Sequence, residues 1–278
     1  MAVPRACVGA LAHRRAGCWR RMVTVTDLAG RGCICWPTAS RGFPMSKPHL
    51  LLLPGLVCDA RLWQHQAALA DLAHVTVADL SQAESISALA ANVLAQAPDD
   101  SFALAGLSLG GYVALEIVRQ APQRILALAL LDTSARADSE EARQARRHAM
   151  GQAEKDFPAA IAGLLPKLLH PDHLHDAALI EVVTGMANNL GRDVFLRQQR
   201  AILGRIDSRP SLAQISCPTL VLCGREDAIT PLAVHEEMAA AIADAQLVVI
   251  EACGHLSTLE QPELVSRALE YWLQDLQR

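Results

Sequence analysis

From residue 49 onward, short apolar, β-branched runs alternate with longer amphipathic segments. Continuous apolar runs separated by helical periodicity are the pattern of βαβ units, whose parallel strands are buried on both faces. The pattern predicts strands at His49–Leu53, Val75–Ala78, Phe102–Ala105, Ile125–Leu131, Thr219–Cys223 and Leu247–Ile250. It predicts helices at Arg61–Ala73, Ser85–Ala97, Gly110–Gln120, Leu232–Ala243 and Pro262–Leu276. Pro262 opens the last of these, where a missing N–H costs nothing, and Glu263 suits the positive helix end. Between residues 135 and 210 the alternation stops. A charged stretch from Arg136 to Lys155 gives way to helical apolar spacing through Ile161, Leu164, Leu165, Leu168 and Leu169. A structureless loop of that length is uncommon, so this segment reads as an all-helical cap inserted over the carboxyl edge of a mostly parallel, doubly wound sheet. The core is then formed by residues 45–134 and 211–278.

Charge separates the first 44 residues from the rest. They hold seven arginines and one acid, Asp27, for a net of +6, whereas the whole chain of 278 residues carries −4, which leaves −10 on residues 45–278. The leader also holds Cys7, Cys18, Cys33 and Cys35, half of the eight cysteines, and lacks sustained apolar periodicity. It reads as a non-structural leader or as sequence upstream of a true start at Met45. Organelle targeting, which an Arg-rich, acid-poor leader resembles in composition, is the alternative to a cytoplasmic protein. An acidic body argues against nucleic acid as a partner, because phosphates need a basic face. No apolar run reaches the length of a membrane helix. In the body, Cys58, Cys217, Cys223 and Cys253 show no disulfide or metal spacing and read as small buried hydrophobes. Cys33-Ile-Cys35 is too short a pair for a zinc knuckle, and His170, His173 and His175 lie at a helix break that suits a solvated cap loop better than a metal site.

The sharpest chemical signal is Gly106-Leu107-Ser108-Leu109-Gly110-Gly111, directly between a predicted strand and a predicted helix. A serine presented at a tight strand-to-helix turn needs neighbours without Cβ atoms, and it sits where helix N–H groups and the helix dipole favour an oxyanion. A neutral hydroxyl is a poor nucleophile, so a base and a residue orienting that base should follow at later strand ends. Asp227 follows the strand Thr219–Cys223, and His255 follows Leu247–Ile250. Asp132, after Ile125–Leu131, is the rival to Asp227, and Glu226 is expected to point elsewhere. For the oxyanion the donors are the N–H of Leu109, next to the serine, and the N–H of Leu56 in the loop Leu53-Pro54-Gly55-Leu56.

These motifs, with Gly254-His255-Leu256-Ser257-Thr258-Leu259-Glu260-Gln261-Pro262, make residues 49–278 resemble the α/β-hydrolase superfamily, within it the small capped serine esterases and lactonases around 3-oxoadipate enol-lactonase and pimeloyl-carrier methyl ester esterase. The resemblance implies the α/β-hydrolase fold, with Ser108 as nucleophile, His255 as general base and then acid, Asp227 as orienter, and Leu56 and Leu109 as oxyanion donors. A serine at position 108 argues against dehalogenases and epoxide hydrolases, which carry an aspartate there. Members usually open with an antiparallel hairpin that has no room here. The sheet is therefore expected to be shortened at one edge, and Arg21–Leu28 is not expected to supply a strand.

The expected activity is hydrolysis of small-molecule carboxylic esters of short to medium acyl chain through an acyl-enzyme, with no metal or organic cofactor. An enol-lactonase, a carbon–carbon bond hydrolase and an acyltransferase would use the same residues. A ligand-binding member without turnover is the reading from another class.

Overall fold

The computed structural model of the protein describes residues 22–25 and 47–276. Seven strands form one parallel sheet: β1 (Met22–Val25), β2 (His49–Leu53), β3 (His74–Val77), β4 (Phe102–Leu107), β5 (Ile125–Leu131), β6 (Thr219–Gly224) and β7 (Ala245–Ile250), in the order β1-β7-β6-β5-β4-β2-β3. The chain runs outward from β2 to β3, returns to β4 on the other side of β2, and then proceeds through β5, β6 and β7 in the opposite direction. This reversal falls between β2 and β4, and the carboxyl ends of strands at such a reversal are the usual place for a ligand site in these sheets.

Both faces are covered, which is why the strands read as continuous apolar runs. One face stacks Leu51, Leu53, Leu104, Leu130, Val221 and Val249 against α1 (Ile86–Gln96), α2 (Leu109–Gln120) and α8 (Leu232–Ala241). The other carries the small residues Ala103, Ala105, Ala127 and Ala129, which admit Leu269, Trp272 and Leu273 of α10 (Pro262–Asp275). A one-turn helix, α9 (Ser257–Glu260), precedes α10.

The segment between β5 and β6 holds five helices and no strand: α3 (Glu140–Lys155), α4 (Phe157–Ala162), α5 (Leu165–Leu168), α6 (Ala177–Leu190) and α7 (Arg192–Leu203). Ser139 caps α3 by accepting from the Ala142 N–H, and Asp176 caps α6 from the N–H groups of Ala178 and Leu179. A separate apolar cluster joins Ala153, Ile161, Ala187, Phe195 and Leu196 of these helices to Val57, in the loop after β2. Among the described residues, no helix is long and apolar enough to cross a membrane.

Three sequence expectations need correction. Met22–Val25, within the stretch not expected to supply a strand, pairs in parallel with Leu247–Ile250 at the sheet edge. The pairing joins segments more than two hundred residues apart, so no local periodicity announces it. The remainder of residues 1–46, with its four cysteines, lies outside the described residues. The predicted helix Arg61–Ala73 is instead two 3₁₀ turns, Ala60–Trp63 and Ala67–Asp71. Asp59 takes the Arg61 N–H, and the buried Gln66 amide reaches Thr258 O and Ser266 Oγ, so contacts to α9 and α10 decide the shape of a segment too short to hold a helix unaided. The third correction, at His173, belongs to the site.

Candidate active site

Ser108 occupies the turn between β4 and α2 with φ 55° and ψ −112°, a strained conformation for a residue with a Cβ. A Cβ on Gly106 would fall on the carbonyl of Gly110, and one on Gly110 on the carbonyl of Leu53, so the two glycines let strand and helix meet this closely. The Ser108 N–H donates to Leu131 O at 3.0 Å, and the Thr133 hydroxyl donates to Ser108 O at 2.8 Å. Thr133 is held in turn by its N–H, which donates to Nε2 of the buried His235 at 3.0 Å. Burial pushes the His235 imidazole down to about 4, keeping it neutral and able to accept that bond.

The structure brings Ser108, His255 and Asp227 together from three strand ends. His255 Nε2 lies 2.9 Å from Ser108 Oγ, and His255 Nδ1 lies 2.8 Å from Asp227 Oδ2. Asp227 also accepts from the N–H groups of Ile229 (2.8 Å) and Thr230 (2.9 Å) and from the Thr230 hydroxyl (2.6 Å). Burial alone would raise its carboxyl, but the facing His255 and the Thr230 bonds outweigh that and hold it below the ordinary carboxylate range. For His255, burial pulls the imidazole down, while Asp227, then Asp132 and Glu260, pull it up further, so its pKa lies above the ordinary histidine value.

Asp132 does not reach the Nδ1 of His255. It is fully buried with φ 44°, accepting from the Gly224 N–H at 3.0 Å, the Ser257 hydroxyl at 2.5 Å and the Ser257 N–H at 3.3 Å. Burial, and then the charge of Asp227, push its carboxyl up to about 8. Glu226 turns away to accept from the Cys253 N–H at 3.0 Å.

Leu56 lies in the loop after β2 and Leu109 next to Ser108 at the start of α2, at the carboxyl ends of two paired strands. The N–H of Leu109 is the first of α2 and has no intrahelical acceptor. Among the described residues, no acceptor stands opposite the Leu56 N–H either.

His170 and His173 are not on a solvated loop. The Glu260 side chain is fully buried, and it accepts from the N–H groups of Gly254 (3.0 Å), Leu256 (3.2 Å) and His170 (2.6 Å), with His173 Nδ1 at 2.8 Å. A carboxylate out of water requires such donors, so the histidine segment docks against the His255 loop. The His255 N–H itself donates to Leu168 O at 2.9 Å. Sequence reading missed Glu260, although its place inside the Gly-His to Gln-Pro segment was a signal. Thr133 had no local signal at all. Among the described residues, no three His, Cys, Asp or Glu side chains converge as a metal site requires.

Cys58, Cys223 and Cys253 are buried and Cys217 is half-buried, all as free thiols. A cavity of about 140 Å³ lies away from this chemistry, lined by Tyr112, Glu116, Arg119, Arg136 and Arg205 among others. Its guanidiniums are already paired, with Glu116, Glu237 and Asp138.

A serine at a strand-to-helix turn, a histidine and an acid at later strand ends of a parallel sheet, and a strand order that reverses beside the serine describe an alpha/beta hydrolase. Residues 48–262 match the alpha/beta hydrolase fold family, and the chain belongs to it. It is 26% identical over 250 residues to the biotin biosynthesis bifunctional protein BioHC of Cellvibrio japonicus, covering 84% of this chain and 49% of that protein. The chain thus spans about half the length of that curated relative. Among solved structures it is similar to a thermophilic esterase from Thermogutta terrifontis, with 32% identity, a TM-score of 0.74, and coverage of 85% of this chain and 92% of that one. It is also similar to the enol-lactonase from Burkholderia xenovorans LB400, at 24% identity and a TM-score of 0.75 over 82% of this chain and 92% of that one, a likeness of fold.

Proposed function

We propose that the protein is a serine hydrolase that cleaves carboxylic esters of short to medium acyl chain through an acyl-enzyme. The observation that carries this is the hydrogen-bonded series from Ser108 Oγ through the His255 ring to Asp227 Oδ2. His255 Nε2 takes the Ser108 proton as Oγ bonds to the ester carbonyl carbon, and the carbonyl oxygen, now an oxyanion, is held by the N–H groups of Leu56 and Leu109. His255 returns the proton to the leaving alkoxide as the carbon–oxygen bond breaks. Water then gives a proton to His255 while its oxygen attacks the acyl carbon, and Ser108 leaves with that proton. Asp227 keeps the imidazole oriented and stabilises its charged form. The helices between β5 and β6 act as a cap. Their apolar residues around Leu56, among them Met150, Ile161 and Leu164, favour an aliphatic acyl group.

Turnover of p-nitrophenyl acetate and butyrate is the direct test, together with mass spectrometry after treatment with a fluorophosphonate. Ester cleavage and a phosphonyl adduct on Ser108 are expected, both lost in Ser108→Ala. Full turnover in that variant would overturn the assignment. A parallel panel of lactones and acyl acceptors separates esterase from lactonase and acyltransferase.

A further inference from the structure

The Leu56 N–H belongs to a turn that is held in an unfavourable conformation. The Cys58 N–H donates to Gly55 O at 3.2 Å, closing a β-turn with Leu56 and Val57 as its central residues. Val57, the second of them, has φ 46°. Type II turns place glycine at that position, and a β-branched residue rarely adopts a positive φ. Something outside the turn has to keep it there.

Gln198, on α7 and 1% exposed, is placed to do so. Its Oε1 accepts from the Val57 N–H at 2.8 Å, and its Nε2 donates to Leu80 O at 3.0 Å in the loop after β3. Both ends of the amide are used, which fixes its orientation. The peptide before Leu56 is therefore pinned by Cys58 and the one after it by Gln198. Arg61 and Asn189 tie the same loop to α6, through Gly185 O at 3.0 Å and Asp59 Oδ2 at 3.2 Å.

We infer that Gln198 is a positioning residue for the oxyanion site: by holding the Val57 N–H it keeps a strained turn in the form that aims the Leu56 N–H at the reacting carbonyl. The inference rests on the serine hydrolase reading above. Without Gln198 the turn is free to relax toward negative φ at Val57, and the donor loses its aim. An oxyanion donor acts on the transition state more than on bound ester, so the effect falls on kcat.

The test compares Gln198→Met, close in size but unable to accept, with Gln198→Glu, which keeps an acceptor for Val57, and with Val57→Gly alone and combined with Gln198→Met. Each is assayed on p-nitrophenyl butyrate with thermal unfolding in parallel. Gln198→Met is expected to lower kcat by about 10- to 100-fold with little change in KM, by comparison with outright loss of a donor. Gln198→Glu should retain most of the kcat in its protonated form, which accepts from the Val57 N–H and donates to Leu80 O, and should lose it as pH rises and the carboxyl ionises against that carbonyl. In the Gln198→Met background, Val57→Gly should restore most of it, because glycine holds positive φ without help. Unchanged kcat in Gln198→Met, or no recovery in the Val57→Gly double variant at equal folded fraction, would overturn the inference while leaving the hydrolase reading intact. A wild-type chain that neither cleaves aryl esters nor takes fluorophosphonate on Ser108 would overturn both.

Discussion

Replacing Asp132 by asparagine separates the two carboxylates near His255. Burial and the charge of Asp227 raise the Asp132 carboxyl from 3.8 to about 8, so at neutral pH the folded protein keeps a proton there that the unfolded chain releases. Below pH 4 both states are protonated and there is no cost. Between pH 4 and 8 the unfolded state is favoured increasingly as pH rises. At pH 7 the cost is about 4 kcal/mol, from 1.36 kcal/mol per unit over the interval between the unfolded value and pH 7. An amide at position 132 can accept from the Gly224 N–H with its oxygen and donate to the Ser257 hydroxyl with its nitrogen, while the longer bond from the Ser257 N–H loses its acceptor, a cost that is the same at every pH. Asp132→Asn should therefore gain stability over the wild type as pH rises from 5 to 8. His255, whose raised pKa also makes stability fall with rising pH, loses in the variant the pull of Asp132 but keeps the larger pull of Asp227, and that loss changes the pH dependence in the same direction as removing the Asp132 titration. Urea unfolding at pH 5, 6, 7 and 8 measures this, and ester turnover of the same samples should remain close to that of the wild type. Parallel stability curves would refute the electrostatic reasoning. Loss of turnover with the fold intact would show that Asp132 orients His255.

Asp227→Asn should lower kcat by about 10⁴-fold, the scale on which an orienting carboxylate acts in a Ser-His-Asp series, as steady-state kinetics will show. The acid limb of kcat/KM in the wild type should be centred above the ordinary histidine value near 6.5, since activity is lost as pH falls through a raised His255 pKa. In Asp227→Asn the limb of the residual activity should move to lower pH, because burial is then opposed only by the smaller pulls of Asp132 and Glu260; a limb that stays in place would refute the coupling. Glu260→Gln can keep its amide oxygen on the N–H groups of Gly254 and Leu256, but its nitrogen then faces the His170 N–H and leaves that donor unmatched. At roughly 1–3 kcal/mol for a buried unmatched group, and about 2–4 °C per kcal/mol for a protein of this size, a fall in Tm of about 2–12 °C is expected by calorimetry.

The strands of the body, the serine turn, Asp227 and His255 were legible because each is announced locally. A strand covered on both faces is apolar throughout, a turn that brings strand and helix together requires glycine at 106 and 110, and loops that follow predicted strands sit at one edge of a parallel sheet. The features decided by tertiary structure all rest on partners far away in sequence. Parallel pairing of Met22–Val25 with β7 depends on a strand more than two hundred residues on, and the 3₁₀ form of Ala60–Asp71 on the C-terminal helices. Docking of His173 needs a buried carboxylate 87 residues later, and the hold on Val57 needs an amide 141 residues later. Period and local turn chemistry report which residues can carry the chemistry. Which neighbour satisfies a buried carboxylate or a strained N–H is settled only when the chain folds, because those bonds gain their value from the exclusion of water.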